Sequence, residues 1–173
     1  MKPEQIAFVE QQLLSMTLMA TAQRGWLYRK DSNKEAREDF RHDLTLALKR
    51  LTEQYCSDIS ESAHIANITE LADIMSVKHA KVLSGGRFRV GSAQKALNLH
   101  LKYMWCMGTI STPPHCPFDS VILSRLPGCR NVKWTQLDSL PEYEEIVQHA
   151  KRAAGGISLA EWELSLYNTA ISS

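Results

Sequence analysis

The sequence predicts an all-α protein, a compact multi-helix bundle forming a single domain over residues 1–173. Three observations carry that expectation. Apolar residues recur at three- and four-residue intervals through most of the chain, the period that lines one face of a helix. Ser or Asn stands three residues ahead of Glu at several of the breaks, the pattern of a capping box. Alternating β-branched runs are nearly missing, and no repeat or Pro- or Ser-rich linker divides the chain.

Pro3 suits the first position of a helix, and Ile6, Val9, Leu13, Met16 and Ala20 continue it. Gly25 is expected to close it, leaving Trp26-Leu27-Tyr28 as a linker that packs inward. Ser32 with Glu35 reads as the cap of a second helix, with Phe40, Leu44, Leu48, Leu51 and Tyr55 on its apolar face. Glu35, Glu38, Asp39, Lys49 and Arg50 form its solvated side. Asn67 with Glu70 opens a third helix through Leu71, Ile74, Met75 and Val82, with residues 59–66 as an extra turn and Gly85-Gly86 as the stop.

Ser92 is expected to cap a central helix at about 92–107, which ends at Gly108. Asp119 caps a short helix, Ser120 to Leu126, ended by Pro127-Gly128. Residues 129–135 read as a loop with weak strand character. Ser139 with Glu142 caps a helix to about Ala154, where Gly155-Gly156 end it. Ser158 with Glu161 caps the last helix, which carries Trp162, Leu166 and Tyr167.

The net charge of +1 points to no particular partner, but the charges are unevenly spread. No acidic residue stands between Asp73 and Asp119, whereas Lys78, Lys81, Arg87, Arg89, Lys95 and Lys102 do. Acidic residues then gather at Glu142, Glu144, Glu145, Glu161 and Glu163. Two readings follow: a positive surface for an anionic partner, or a basic segment folded against acidic ones within the chain.

Cys56, Cys106, Cys116 and Cys129 lack CxxC spacing, and a core-rich chain of this length has no need of disulfides; reduced thiols in a cytoplasm are expected. Leu13 to Ala22 ends like a cleavage site, but Glu4 and Glu10 spoil the positive region a signal peptide needs. No uncharged run is long and apolar enough to span a bilayer. Cys106, His115, Cys116 and Cys129 are of the right types for zinc, and Cys116 beside His115 for a thiol nucleophile. Their spacing suits neither, and no metal or cofactor is expected.

The central helix is apolar on most sides, so neighbours should bury it on most sides. Its polar strip is narrow: Lys95, Asn98 and Lys102, with Gln94 at the margin. The strip is either the wet edge of a core helix or the lining of a cleft suited to phosphate. Gly91 and Ser92 would leave N–H groups free at the positive end of the helix dipole, with Arg87 and Arg89 just before it. His100 reads as a core histidine.

Val90-Gly91-Ser92-Ala93-Gln94-Lys95-Ala96, followed by Pro117-Phe118-Asp119-Ser120-Val121-Ile122-Leu123, resembles the helix-hairpin-helix DNA glycosylase family over about residues 85–125. In that family a glycine-bearing hairpin leads into a helix carrying a catalytic lysine, and a Pro-x-Asp segment opens another helix. The resemblance implies that Lys95 attacks a sugar C1′ to form a Schiff base, and that Asp119 activates it or stabilises an oxocarbenium-like transition state. Phe88, Trp105 or Phe118 would help a base leave the stack. Arg87, Arg89, Gly91, Ser92, Asn98 and Lys102 would then hold nucleic acid, DNA rather than RNA. Phe88-Arg89-Val90 stands where the family carries Pro-Gly-Val. The competing expectation is a non-catalytic helical module that binds an acidic protein partner.

Overall fold

A computed structural model describes residues 2–22 and 26–171. Among them seven α-helices follow one another: α1 (Pro3–Ala22), α2 (Lys34–Thr52), α3 (Glu61–His79), α4 (Val90–Cys106), α5 (Ser120–Arg125), α6 (Leu140–Ala154) and α7 (Leu159–Ile171). The expected end of α1 at Gly25 lies outside the described residues. No helix among the described residues is long and apolar enough to cross a membrane.

Helix α4 is the axis of the fold. It packs against α1, α2, α3 and α6, and fourteen of its residues from Val90 to Met104 are buried. Phe40, Leu44, Leu48 and Leu51 of α2 meet Ile68, Leu71 and Met75 of α3 and Ala93, Ala96, Leu97 and Leu101 of α4 in a shared core. A helix surrounded in this way loses contact with solvent on nearly every face, as its composition predicts.

Several helix starts differ from expectation, each for a local reason. Asn33, not Ser32, caps α2, accepting the Ala36 N–H at 2.8 Å, while the Ser32 hydroxyl turns back to the Arg29 carbonyl. Ser60 caps α3, so Asn67 lies inside that helix, where its amide donates to Tyr55 and Gln54. Helix α3 stops at His79, and Gly85-Gly86 belong to a following 3-10 turn whose positive φ angles suit glycine. The expected caps Asp119, Ser139 and Ser158 do close α5, α6 and α7. Leu27 and Tyr28 pack inward, but Trp26 is 68% exposed.

Helix α4 begins at Val90, earlier than expected, which places Ser92 inside its first turn rather than at the cap. A cap from far along the chain explains this. Asp138 Oδ1 accepts the Val90 N–H at 3.1 Å, and the Leu137 carbonyl accepts the Gly91 N–H at 2.8 Å. Gly91 is needed for a second reason: a Cβ there would lie 1.7 Å from the Trp134 carbonyl oxygen. The 134–138 loop therefore sits directly on the start of α4.

Candidate functional site: a cleft over the central helix

The polar strip of α4 divides into two pairs with different neighbours. Gln94 and Asn98 face inward and are fully buried. Gln94 Nε2 donates to the Phe118 carbonyl at 2.8 Å and to the Gly91 carbonyl at 3.0 Å. Its Oε1 accepts the Phe118 N–H at 3.1 Å. Asn98 Nδ2 adds a bond to the Cys116 carbonyl at 3.0 Å. These amides do for the proline-rich segment what a neighbouring strand would do, satisfying its buried backbone groups. They hold residues 116–118 across α4 and so deliver Asp119 to Lys95.

Lys95 Nζ lies 2.7 Å from Asp119 Oδ2, and the two side chains are 8% and 29% exposed. Asp119 Oδ1 meanwhile accepts the N–H groups of Val121 and Ile122 as the cap of α5. Burial alone would raise the Asp119 carboxyl. The Lys95 ammonium and the two backbone donors outweigh it and hold the group below the ordinary carboxylate value.

Lys102, two turns further along α4, contacts Glu163 of α7 at 2.7 and 2.9 Å. Its ammonium also lies 4.5 Å from the centre of the Tyr167 ring. Both ion pairs line one cleft of about 620 Å³. Its floor is α4, with Leu99, Tyr103 and Cys106 between and beyond the lysines. Met16 and Ala20 of α1 form one wall, Leu164 and Tyr167 of α7 the other, and Pro117, Asp119, Ser120, Val121 and Trp134 close one end. Burial pushes the Tyr103 phenol and the Cys106 thiol up from their ordinary values, so both are neutral near pH 7.

The other expected site residues are placed elsewhere. Arg87 is tied to Asp73 at 2.8 Å and to Asp138 at 3.1 Å. Arg89 is half-buried just before α4 and borders a narrow crevice with Ser92 and Trp134. The N–H groups of Val90 and Gly91 are taken by Asp138 and Leu137, and those of Ser92 and Ala93 by the Arg89 carbonyl. Asn98 is enclosed in the core. The start of α4 therefore already holds an anion, and that anion is the protein's own Asp138. Phe88 and Phe118 are fully buried, so neither can stack on a base.

Four of the six cations of the basic segment are paired within the chain. Lys78 pairs with Asp43, Arg87 with Asp73 and Asp138, Lys95 with Asp119, and Lys102 with Glu163.

Glu61, His64, Tyr143 and Lys151, which the sequence left unmarked, join His115 and Tyr55 in a second polar network. His115 Nδ1 meets the Tyr143 hydroxyl at 2.7 Å and its Nε2 meets Glu61 at 3.0 Å. Glu61 also takes Lys151, and His64 Nδ1 meets the Tyr55 hydroxyl at 2.7 Å. Burial pushes His64 down to about 3, with His115 adding to the fall and Asn98 tempering it. The thiol reading fails in this setting. Cys116 is 1% exposed and burial raises its pKa well above the ordinary value, while both His115 nitrogens are engaged. Among the described residues no three His, Cys, Asp or Glu side chains gather closely enough to hold a metal ion.

No protein-family model, curated protein or solved structure matches this chain.

Proposed function

We propose that the chain acts through the cleft over α4, with Lys95 as an amine directed at a carbonyl carbon and Asp119 as its proton partner. In the setting the glycosylase resemblance supplies, that carbonyl is C1′ of an abasic sugar in a nucleic acid. The observation that carries the reading is the 2.7 Å approach of Lys95 Nζ to Asp119 Oδ2 in the lining of an open cleft.

The chemistry requires a neutral amine. Asp119 takes a proton from the ammonium, and the freed lone pair forms the N–C bond as the carbonyl π pair moves to oxygen. Asp119 returns that proton to the oxygen and takes one of the two protons left on nitrogen, giving the neutral carbinolamine. It passes this second proton to the hydroxyl, which leaves as water while the nitrogen lone pair forms the protonated imine. The depressed Asp119 carboxyl keeps the resting pair ionised, so the first proton transfer is an uphill step that precedes attack.

The expected result of borohydride reduction with an abasic oligonucleotide, and separately with free deoxyribose, is a covalent adduct on Lys95 that Lys95→Ala abolishes. Absence of a Lys95 adduct from both would overturn the reading. Because four cations of the basic segment are already paired, binding to the oligonucleotide should be weak with a shallow salt dependence.

One observation favours a second reading, a helical interaction module. Helix α1 exposes Phe8 at 65%, Met16 at 47% and Met19 at 62%. Large apolar groups on one helix mark a contact surface. Loss of a copurifying partner on Phe8→Ser/Met19→Ser, with Lys95→Ala silent, would favour it.

A further inference from the structure

We infer that the cleft over α4 selects an uncharged carbonyl compound with an apolar, part-aromatic body, and excludes ligands carrying a charge on that body. The reacting end rests on the carbonyl-directed role of Lys95. The preference for an uncharged body rests on the lining itself.

The cleft is electrically closed. Its four charged side chains form two ion pairs at 2.7 Å, Lys95–Asp119 and Lys102–Glu163. The rest of the lining is uncharged and largely apolar, with Met16, Leu99, Tyr103, Val121 and Trp134 prominent. A charged ligand has two ways in. It can remain unpaired against apolar walls, or it can break a pair and leave the abandoned partner without a counter-ion.

Neither pair opens easily. Asp119 is pinned by the Val121 and Ile122 N–H groups, so it cannot swing aside without uncapping α5. Glu163 is 6% exposed and sits on Lys102 through both oxygens. An uncharged ligand enters by displacing only water and leaves both pairs intact until Lys95 reacts. The cleft volume, about 620 Å³, falls in the range of small-molecule sites and is large enough for a single-ring or bicyclic body. Met16 and Tyr167, which line the mouth and are 47% and 55% exposed, supply the apolar surface such a body would cover.

The test compares benzaldehyde with 4-formylbenzoate and with 4-(trimethylammonio)benzaldehyde. Each is reduced onto the intact protein with borohydride, and the labelled lysines are mapped by mass spectrometry. Lys34, whose side chain is 91% exposed, corrects for the intrinsic reactivity of each aldehyde. The expected result is at least roughly tenfold more labelling of Lys95, relative to Lys34, by benzaldehyde than by either charged aldehyde. Glu163→Gln, which frees the Lys102 charge, should raise labelling by 4-formylbenzoate and not by the cation.

Equal or better labelling of Lys95 by a charged aldehyde would overturn the selectivity and leave the lysine chemistry standing. If no aldehyde labels Lys95, the lysine chemistry falls, and the charge preference is decided by titrating the protein with benzyl alcohol and with benzoate. Shifts of the Leu99 and Tyr103 amide resonances with the alcohol alone would sustain it; any other pattern would overturn it.

Discussion

Gln94 closes both backbone polar groups of Phe118: one side-chain amide accepts the Phe118 N–H at 3.1 Å and donates to the Phe118 carbonyl at 2.8 Å. Asp119 is the next residue, so the geometry of the Lys95–Asp119 pair depends on a neutral contact one step away from it. Gln94→Ala should leave two buried backbone groups unpaired and cost about 2–4 kcal/mol. It should also let residues 117–119 drift from α4. Urea denaturation gives the first effect; loss of amide protection at Phe118 and Val121 gives the second. Unchanged protection there would mean that Asn98, the Lys95–Asp119 pair and the prolines hold the segment without Gln94.

The ion pair itself should respond asymmetrically to truncation. Asp119→Ala removes the counter-ion of Lys95 and the cap of α5 together. Breaking a fully buried pair costs about 3–5 kcal/mol, but Asp119 is 29% exposed, so a loss of about 2 kcal/mol is expected. Asp119→Asn keeps a capping oxygen and should cost less than Asp119→Ala by about 1 kcal/mol. Lys95→Met combined with Asp119→Asn should recover stability relative to the sum of the two single changes. A strictly additive double-mutant cycle would show that the pair contributes no coupling energy.

The 134–138 loop and the start of α4 form a second dependent pair. Gly91→Ala would drive a Cβ into the Trp134 carbonyl, at 1.7 Å, so the loop must move or the protein must lose its fold. The thermal midpoint should fall by well over about 5 °C, a loss beyond about 2 kcal/mol. Asp138→Ala should cost about 1–2 kcal/mol through the lost cap and the lost Arg87 contact. Asp138→Asn should be milder, since an amide oxygen still accepts the Val90 N–H. An Asp138→Ala protein as stable as the parent would show that neither the cap nor the Arg87 contact contributes to stability.

These dependencies explain what was legible in the sequence. The helices were, because periodicity and caps such as Ser139 and Asp119 act within one turn. The glycosylase resemblance raised a joint role for Lys95 and Asp119 but left open whether they meet. Their contact depends on the strap that Gln94 and Asn98 hold across α4. The cap of α4 was not legible, because Asp138 stands 48 residues from Val90 and no local pattern announces it. The neutralisation of Lys102 by Glu163 and of Lys78 by Asp43 is equally long-range. Gln94 looked marginal on the helix wheel because a wheel records the side of a helix and not the backbone strap crossing it.

The buried histidines set the acid limit of the fold. Burial pushes His64 down to about 3 and His100 to about 4, from an ordinary value of 6.5. Below that ordinary value the unfolded chain binds a proton at each ring, and the native protein does not until the pH approaches the lowered values. The unfolded state then holds more protons, so stability must fall as pH falls. Each histidine contributes up to about 1.4 kcal/mol per pH unit, and the two together about 2.7, between roughly pH 6 and 4.5. The depressed carboxyls of Asp43, Glu61 and Asp119 act in the same direction at lower pH, losing their contribution as pH falls through their native values. His100 is the cleaner probe, because its Nδ1 is buried without a hydrogen-bond partner. His100→Leu removes both the unpaired nitrogen and one proton-binding site, so it should stabilise the protein more at pH 5 than at pH 7. Urea midpoints across that range measure both effects. A midpoint for the parent protein that is flat between pH 7 and 5 would show that the two rings reach solvent and titrate normally in the native state.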